Sequence, residues 1–313
     1  MFAPALAAAT LLALGTLDFR IAVMRDRLVA ESPLIRALGV NPRDFVFRLD
    51  YLTGRLTSAE KPPAYPNEYA DLEDEARLEL KLDAELLVNL CPVFAVVSGI
   101  DESFYNDDPT LPPDPVAFYV PPRPDRDGRY ALVVVLHGRS ETETDVVSHA
   151  ALRALADRDH AILIAPWGVG GELWGRSAVG EILSIIAEME RGFHVDSRRV
   201  YLAGLGLGGA SGYRIVAEHP EVFEALLSVG GGLSPKDAFP ALNLLRSRNV
   251  YLVGQNPTYN VLAAACVPVS FYATASDAPG FYDTTSQLQQ AWKDMFDGVV
   301  RNTFARDCTR ELP

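Results

Sequence analysis

The chain has 313 residues, of which 49% are hydrophobic and 22% are charged, and its 41 acidic and 28 basic side chains give a net charge of −13. This composition is typical of a globular protein with room for one large domain and an added segment, or for two unequal domains. The acidic balance argues against nucleic acid as a partner, since phosphate binding depends on clustered Lys and Arg.

The N-terminal part of the chain is predicted to be helical. Residues 1–15 are apolar and rich in alanine, like the hydrophobic part of a signal peptide, but no Lys or Arg precedes them. We interpret them as the start of a buried helix, because apolar positions continue from Leu17 to Leu28 past charged residues. The location of the protein stays open, with the cytoplasm slightly favoured over secretion. No later apolar run approaches the ~18 residues of a membrane span, and Pro33 and Pro42 mark predicted helix starts.

Two proline-rich segments, residues 61–66 and 106–115, are predicted connectors. Between them, the acidic run from Glu68 to Glu85 is predicted to be a helix whose carboxylates mostly face solvent. These carboxylates have no nearby histidine in the sequence, so we predict no metal site there. The second connector marks the predicted domain boundary, which gives a helical N-terminal region at residues 1–110 and an α/β domain at residues 111–313.

From residue 116 onward, short apolar runs alternate with stretches whose apolar positions have helical periodicity. This alternation predicts a mostly parallel sheet flanked by helices. The predicted strands are 117–120, 130–136, 161–165, 200–203, 225–229, 250–253 and 267–273, and the predicted helices are 144–156, 178–192, 207–218, 238–248 and 284–296. Ligands of such sheets bind at the carboxyl ends of the strands. We therefore expect function at the residues that follow these strands.

A glycine cluster follows the strand at 200–203 and leads directly into a helix. Gly204, Gly206 and Gly208 occupy the three fixed places of the G-x-S-x-G pattern, a tight strand-to-helix turn that presents a nucleophilic serine above a sheet. The place of the serine is taken by Gly206. The pattern therefore predicts the scaffold of a hydrolase without the atom that would attack the substrate.

Five motifs, in the order of the predicted strands, resemble the carboxylesterase and polyhydroxyalkanoate-depolymerase-like branch of the α/β-hydrolases. They are Tyr119-Val-Pro-Pro122, Leu136-His-Gly138, Ala165-Pro-Trp-Gly168, Asp196-Ser-Arg-Arg-Val-Tyr-Leu-Ala-Gly204 and His219-Pro-Glu-Val-Phe223. The resemblance covers roughly residues 116–300 and implies an α/β-hydrolase fold after a helical N-terminal segment. It also implies that the backbone N–H groups of Arg139 and Leu207 form an oxyanion hole. The expected ligand cleft is lined by His137, Gly138, Arg139, Trp167, Gly206 and Leu207.

The resemblance implies a catalytic triad in the order Ser, Asp, His, and this chain keeps none of the three. The nucleophile place is Gly206, and the acid place is Pro257, with Asn256 as its nearest polar neighbour. The histidine would fall within Asp277–Phe281, but no histidine occurs after His219. A triad in this order cannot be assembled.

A displaced nucleophile is the alternative. Ser140 and Ser177 are expected near the cleft but have no neighbouring base and acid in the sequence, and Ser211 lies more than one helical turn beyond Gly206. Cys266 opens a predicted apolar strand, which is typical of a buried small residue rather than of a reactive thiolate. The three cysteines are too few for a disulfide framework, although one disulfide is compatible with them.

His137 is the one histidine expected in the cleft, where the resemblance gives it the structural role of shaping the oxyanion loop. The others, His149, His160, His194 and His219, are predicted on helices or before strands, and no two histidines have the i,i+4 spacing of a metal site. We therefore predict no metal.

The same glycines also suggest a nucleotide cofactor. Gly204, Gly206 and Gly209 fit the G-x-G-x-x-G pattern of dinucleotide-binding proteins. Such a site requires an acidic residue at the end of the next strand, where this chain has Gly230-Gly-Gly232. We therefore predict no cofactor.

Three functions stay open on the sequence alone. The first is a catalytically silent α/β-hydrolase homologue, a pseudoenzyme, that binds a small ligand or a protein partner. The second is an active carboxylesterase with a displaced nucleophile. The third is a structural or assembly protein that acts through the helical N-terminal region. The first accounts best for a preserved glycine corner without a triad.

Overall fold

The structure is a computed structural model. It describes residues 16–37, 40–59, 67–87, 98–105, 114–139, 141–168, 174–233, 242, 244–254, 258–274 and 285–301, with only the backbone for residues 176 and 177. Residues 1–15, the connector at 61–66 and most of the connector at 106–115 lie outside this set. No helix in the described part of the chain is long and apolar enough to cross a membrane.

The helices follow the predicted order. They are α1 (Leu17–Ala30), α2 (Ser32–Ala37), α3 (Pro42–Ala59), α4 (Glu68–Leu87), α5 (Glu143–Ser148), α6 (Ala150–Asp159), α7 (Arg176–Phe193), α8 (Leu207–Glu218), α9 (Thr258–Ala264) and α10 (Ser286–Asp297). The predicted helix starts at Pro33 and Pro42 are confirmed, since Pro42 is the first residue of α3 and Pro33 is the second of α2. Of the predicted helix at 238–248, residues 242, 244 and 245 are helical, residues 246–248 form a turn and a bend, and the rest lie outside the described residues.

Eight strands form one sheet in the order β1-β2-β4-β3-β5-β6-β7-β8. The strands are β1 (Gly99–Tyr105), β2 (Asp114–Val120), β3 (Tyr130–Leu136), β4 (Ala161–Pro166), β5 (Val195–Leu205), β6 (Ala225–Val229), β7 (Asn249–Val253) and β8 (Val269–Tyr272). All pairs from β4 to β8 are parallel. The sequence analysis missed β1, whose residues alternate little in polarity.

The chain divides into two compact units, Met1–Ala95 with Asp101–Val116 and Val96–Ile100 with Ala117–Pro313. In the first unit, apolar residues of α3 recur at spacings of three and four, which places them on one face of the helix. The buried ones include Phe45, Leu49, Leu52 and Leu56. They contribute to a core shared with α1 and α4. The domain boundary at residue 110 stays a prediction.

The acidic face of α4 is buried, and the prediction that it mostly faces solvent is wrong. The buried carboxylates recur every four residues along the helix: Asp71, Glu75, Glu79 and Asp83. Two arginines on α3 supply the opposite charge. Arg48 donates from Nε to Glu79 at 2.8 Å and also contacts Glu102, and Arg55 lies 3.0 Å from a Glu75 oxygen. Ion pairing between the two helices therefore compensates the burial of charge.

Asp83 differs from the other acidic residues of this face. Neither carboxylate oxygen of Asp83 has a hydrogen-bond partner among the described residues, and the side chain is fully buried. Burial raises the pKa of Asp83 well above 3.8, the negative charge of Glu79 raises it further, and Arg48 opposes both. The neutral, protonated form of Asp83 is therefore favoured in the folded protein.

In the second unit, the central strands carry almost continuous apolar runs. Every residue from Ala131 to Leu136 and from Ala161 to Ala165 is fully buried. Parallel strands that are covered on both faces have this pattern. The predicted strands at 130–136 and 225–229 and the predicted helix at 207–218 are confirmed at both ends.

Two predicted elements of this unit differ from the structure. The single helix predicted at 144–156 is split into α5 and α6, because the backbone of His149 is extended. Cys266 does not open a strand: it lies in a turn after α9 with φ +59°, is partly exposed, and is disulfide-bonded. The other two cysteines, Cys91 and Cys308, lie outside the described residues.

Candidate ligand-binding cleft

Three neighbouring strands bring the predicted cleft residues to one edge of the sheet. β3 lies between β4 and β5, and all three are parallel. Trp167, His137 and Gly206 are the first residues after β4, β3 and β5 respectively. Because the carboxyl ends of parallel strands meet at the same edge, these residues belong to one end of the molecule, where ligands of such sheets bind.

The glycine corner has the backbone of a nucleophile elbow. Gly206 adopts φ 51° and ψ −109°, a region that residues with a side chain rarely occupy. Its N–H donates to the carbonyl of Val229 at 2.9 Å, and its carbonyl accepts from the N–H of Ala210 at 2.9 Å. A Cβ built on Gly206 would have no atom of the described residues within 4 Å. The corner is thus held on both sides, and no described residue fills the place of the serine side chain.

The helix after the corner lies directly against the end of β3. A Cβ on Gly208 would lie 2.1 Å from the carbonyl oxygen of Leu136, which no real contact permits. Only glycine therefore allows this approach. Close packing also explains Gly204 and Gly209, where a Cβ would lie 2.4 Å from Gly208 and 2.7 Å from Ser228, so the G-x-G-x-x-G pattern does not by itself indicate a nucleotide.

His137 is buried and held by its neighbours. Its Nε2 lies 2.7 Å from the carbonyl oxygen of Trp167, and its Nδ1 lies 2.8 Å from that of Gly138. The ring also meets the indole of Trp174 edge to face, with centroids 5.0 Å apart. With carbonyls against both ring nitrogens, this imidazole connects two loops and is poorly placed to act as a base at Gly206.

Trp174 is a site residue that the sequence analysis did not identify. Its indole N–H donates to the carbonyl of His137 at 3.1 Å, and its ring would lie 3.1 Å from a Cβ on Gly168. Its own carbonyl accepts from Arg214 on α8 at 2.7 Å. Trp174 therefore connects the loops after β3 and β4 to the helix of the corner. No motif surrounds it in the sequence, so only its tertiary contacts reveal this role.

The loop after β3 is also fixed by a carboxylate. The N–H of Gly138 donates to Glu141 Oε2 at 2.9 Å. Burial raises the pKa of Glu141, and the nearby charge of Asp145 raises it further, while the bond from Gly138 opposes both. Arg139 is exposed and makes no ion pair among the described residues. Its charge is available to a ligand at this edge of the sheet.

The other histidines give the corner no catalytic base among the described residues. His160, His194 and His219 cap the C-terminal ends of α6, α7 and α8. Each of these helices leads to the amino end of the next strand, which is the opposite edge of the sheet from Gly206. His149 lies between α5 and α6, beside Asp145.

The alternative nucleophiles receive no support from the described residues. Cys266 is disulfide-bonded, so its sulfur is not a free thiolate. Ser211 lies within α8. Ser140 and the side chain of Ser177 lie outside the described residues, as do Pro257 at the acid place and its neighbour Asn256. The roles assigned to the cleft residues remain predictions.

Comparisons with known proteins give partial matches to esterases. No family model matches the chain. NocK of Nocardia uniformis subsp. tsuyamanensis, named for a supposed esterase activity, is 31% identical over 114 residues, which cover 33% of this chain and 33% of NocK. The bifunctional acetylxylan esterase/xylanase XynS20E of Neocallimastix patriciarum is 28% identical over 91 residues, covering 28% of this chain and 14% of the relative. The chain thus spans a third or less of the length of these curated relatives.

Solved structures match over a larger part of the chain. A ferulic acid esterase matches with a TM-score of 0.53 at 15% identity, covering 63% of this chain and 98% of the esterase. FphF, a fluorophosphonate-binding serine hydrolase of Staphylococcus aureus, matches with a TM-score of 0.53 at 13% identity and the same coverages. The chain has the α/β-hydrolase fold. At these identities the similarity concerns the fold alone, so the predicted fold class is confirmed and the depolymerase-like branch remains a prediction.

Proposed function

We propose that the chain is a catalytically silent homologue of α/β-hydrolase esterases that binds a small carboxylate or ester at the carboxyl ends of β3, β4 and β5. The observation that carries this proposal is Gly206. The residue keeps the elbow conformation and leaves open the space where a nucleophile would stand. The scaffold for presenting a substrate is thus retained without an attacking atom.

The first turn of α8 supports the binding of a negatively charged or carbonyl group. The N–H groups at the start of a helix have no partner within the helix, and they carry a partial positive charge. Gly206 has no side chain that could cap them. Arg139 adds a full positive charge on the loop after the neighbouring strand. Anion binding at helix N-termini is a general consequence of this arrangement.

The loss of turnover follows from the same residues. A serine nucleophile needs an adjacent base and a group that orients the base. The chain has no histidine after His219, and three of its five histidines cap helices at the opposite edge of the sheet. His137 is occupied by two carbonyls. A bound ester would therefore persist rather than be hydrolysed.

The relatives favour esters and their acids as the ligand class. Two curated relatives and the ferulic acid esterase carry the word esterase in their names. Butyrate and ferulate are suitable probes, because each combines the carboxylate that α8 and Arg139 would bind with an apolar group.

The test introduces a negative charge at the mouth of the cleft. Leu207 is 37% exposed and is the first residue of α8. Leu207→Glu places a carboxylate where the ligand carboxylate would lie, and an acidic residue in the first turn does not destabilise a helix. We expect butyrate and ferulate to raise the melting temperature of the wild type and not that of Leu207→Glu. The control is Leu244→Glu, at an exposed leucine before the amino end of β7. Equal ligand shifts in both variants, or none in the wild type, would contradict the proposal.

A second candidate is the assembly role, which the surface of the first compact unit favours. Large apolar side chains are exposed on its helices: Phe19, Val29, Leu34, Phe47 and Tyr51. Phe47 is 68% exposed and stacks on Tyr51. Under this candidate the full chain forms an oligomer that Phe47→Ser dissociates, which light scattering would detect. A monomeric wild type would exclude it.

A further inference from the structure

Three side chains that can bind metals converge behind the loop that carries Gly138. Glu141 lies two residues before α5, Asp145 lies within it, and His149 follows its last residue. Their ligand atoms all lie within 4.8 Å of one another. Asp145 and His149 are 4% and 2% exposed. The group combines one imidazole with two carboxylates.

The spacing of these atoms is close to that of a metal site. His149 Nε2 lies 3.7 Å from Asp145 Oδ1. In a tetrahedral zinc site with bonds of about 2.0–2.2 Å, the ligand atoms are about 3.4 Å apart. The distance between these two atoms is thus slightly longer than in a metal-bound pair. The Glu141 oxygen lies within 4.8 Å of both atoms, so it would move closer to them on binding a metal.

The charges of the group also favour a cation. Asp145 is buried and Glu141 is partly buried, and two carboxylates this close repel each other, which a bound cation would offset. Glu141 makes no ion pair with Lys or Arg among the described residues. Its Oε2 accepts from Gly138, which leaves Oε1 for a metal ligand bond. As a metal ligand, the imidazole of His149 would be neutral and would add a ligand atom without adding charge.

We propose that Glu141, Asp145 and His149 bind a divalent cation of the zinc class. An imidazole with carboxylates suits borderline first-row metals better than Mg²⁺ or Ca²⁺, which prefer oxygen ligands alone. The cation would hold Glu141 and, through it, the Gly138 N–H. The hydrogen bond from Gly138 to this ligand would thereby fix the loop that carries Arg139. Metal ligands in known sites are hydrogen-bonded to surrounding groups in the same way.

The sequence analysis compared only pairs of histidines and so missed this group. Its i,i+4 partner for His149 is a carboxylate, Asp145. The proposal does not depend on the function of the cleft, because its readout is metal binding by the full chain. If metal binding fails, the proposed function of the cleft is unaffected, and the reverse also holds.

Co²⁺ is the probe, because it replaces Zn²⁺ and absorbs visible light strongly when tetrahedral. We expect the chelator-treated protein to bind one Co²⁺ per chain and to show a visible d–d band. Zn²⁺ should remove this band, whereas excess Mg²⁺ should not. His149→Gln and Glu141→Gln should each weaken Co²⁺ binding at least about tenfold. The matched control is His160→Gln, at the histidine that ends α6, which should bind like the wild type.

Several results would overturn the proposal. These are no band with the wild type, displacement by Mg²⁺, or unchanged affinity in both His149→Gln and Glu141→Gln. If His149→Gln does not fold, Glu141→Gln decides the question, because Glu141 is only partly buried and its glutamine can still accept from Gly138.

Discussion

Replacing Gly206 by serine would restore the hydrolase pattern in the sequence, and we expect it to destabilise the protein without creating activity. The residue lies at φ 51° and ψ −109°. Glycine adopts this conformation freely, whereas a residue with a Cβ pays about 1–3 kcal/mol of backbone strain. No atom of the described residues lies within 4 Å of the new Cβ, so we expect backbone strain to be the main cost.

A second effect of the substitution must be separated from the strain. Any replacement of glycine reduces the freedom of the unfolded chain, which stabilises the folded state by about 0.4–1 kcal/mol. Gly232→Ser is the matched control. Gly232 also has open space around its Cβ position, but its φ is not in the left-handed region. The free energies of unfolding of the two variants should therefore differ by the strain alone, about 1–3 kcal/mol.

The assay is a thermal melt of both variants, with an esterase assay in parallel. For a domain of this size about 1 kcal/mol shifts the melting temperature by about 2–4 °C, so Gly206→Ser should melt roughly 2–12 °C below Gly232→Ser. Neither variant should hydrolyse esters, since the new hydroxyl meets no free imidazole. Equal melting temperatures would show that the corner is unstrained. Turnover by Gly206→Ser would reveal a base that the described residues do not contain.

Three further predictions concern packing and buried charge. Gly208→Ala forces a Cβ against a main-chain carbonyl oxygen and should cost about 3 kcal/mol, whereas Gly180→Ala, in open surroundings on α7, should stabilise by about 1 kcal/mol; chemical denaturation measures both. Arg48→Leu removes a buried positive charge beside Glu79 and Glu102 and should cost about 3–5 kcal/mol, while Arg25→Leu, which breaks an exposed pair, should change little; equal losses would contradict the burial argument. Asp83 has a raised pKa, so the folded state holds a proton that the unfolded state releases, and the contribution of Asp83 to stability should fall as the pH rises above about 4. Relative to Asp83→Asn, the wild type should therefore lose stability as the pH rises. Parallel curves of unfolding free energy against pH for the two proteins would contradict this prediction.

The sequence predicted the second unit well because its signals are local. The runs at Ala131–Leu136 and Ala161–Ala165 are apolar at every position, as buried parallel strands require. The glycine corner was recognisable because Gly206 takes a conformation that glycine adopts without strain, and Gly208 leaves no room for a Cβ. Such requirements fix the residue type at single positions, so the sequence alone reveals them.

Other features depend on tertiary contacts and were missed for that reason. The acidic residues of α4 have the composition of an exposed face, and they are buried only because Arg48 and Arg55 lie opposite. Their four-residue spacing and the seven-residue spacing of the arginines were the available signal. Trp174 and Glu141 acquire their roles through contacts with His137 and Gly138, which no local pattern predicts.

The disulfide at Cys266 changes one expectation about the environment of the protein. The number of cysteines allowed one disulfide but did not predict it, and the strand expected at Cys266 is a turn. Disulfides persist mainly in oxidising compartments. The disulfide therefore argues against the slight preference for the cytoplasm.

The central claim is that the chain keeps the scaffold of an esterase without its turnover. The most direct measurement is hydrolysis of p-nitrophenyl butyrate by the full chain, with labelling by a fluorophosphonate in parallel. We expect no covalent label and no saturable hydrolysis; weak acceleration from backbone donors alone, which reaches ~10³–10⁴ over water in disabled serine proteases, is compatible with the claim. Saturable hydrolysis that the fluorophosphonate blocks and that Ser140→Ala abolishes would contradict it.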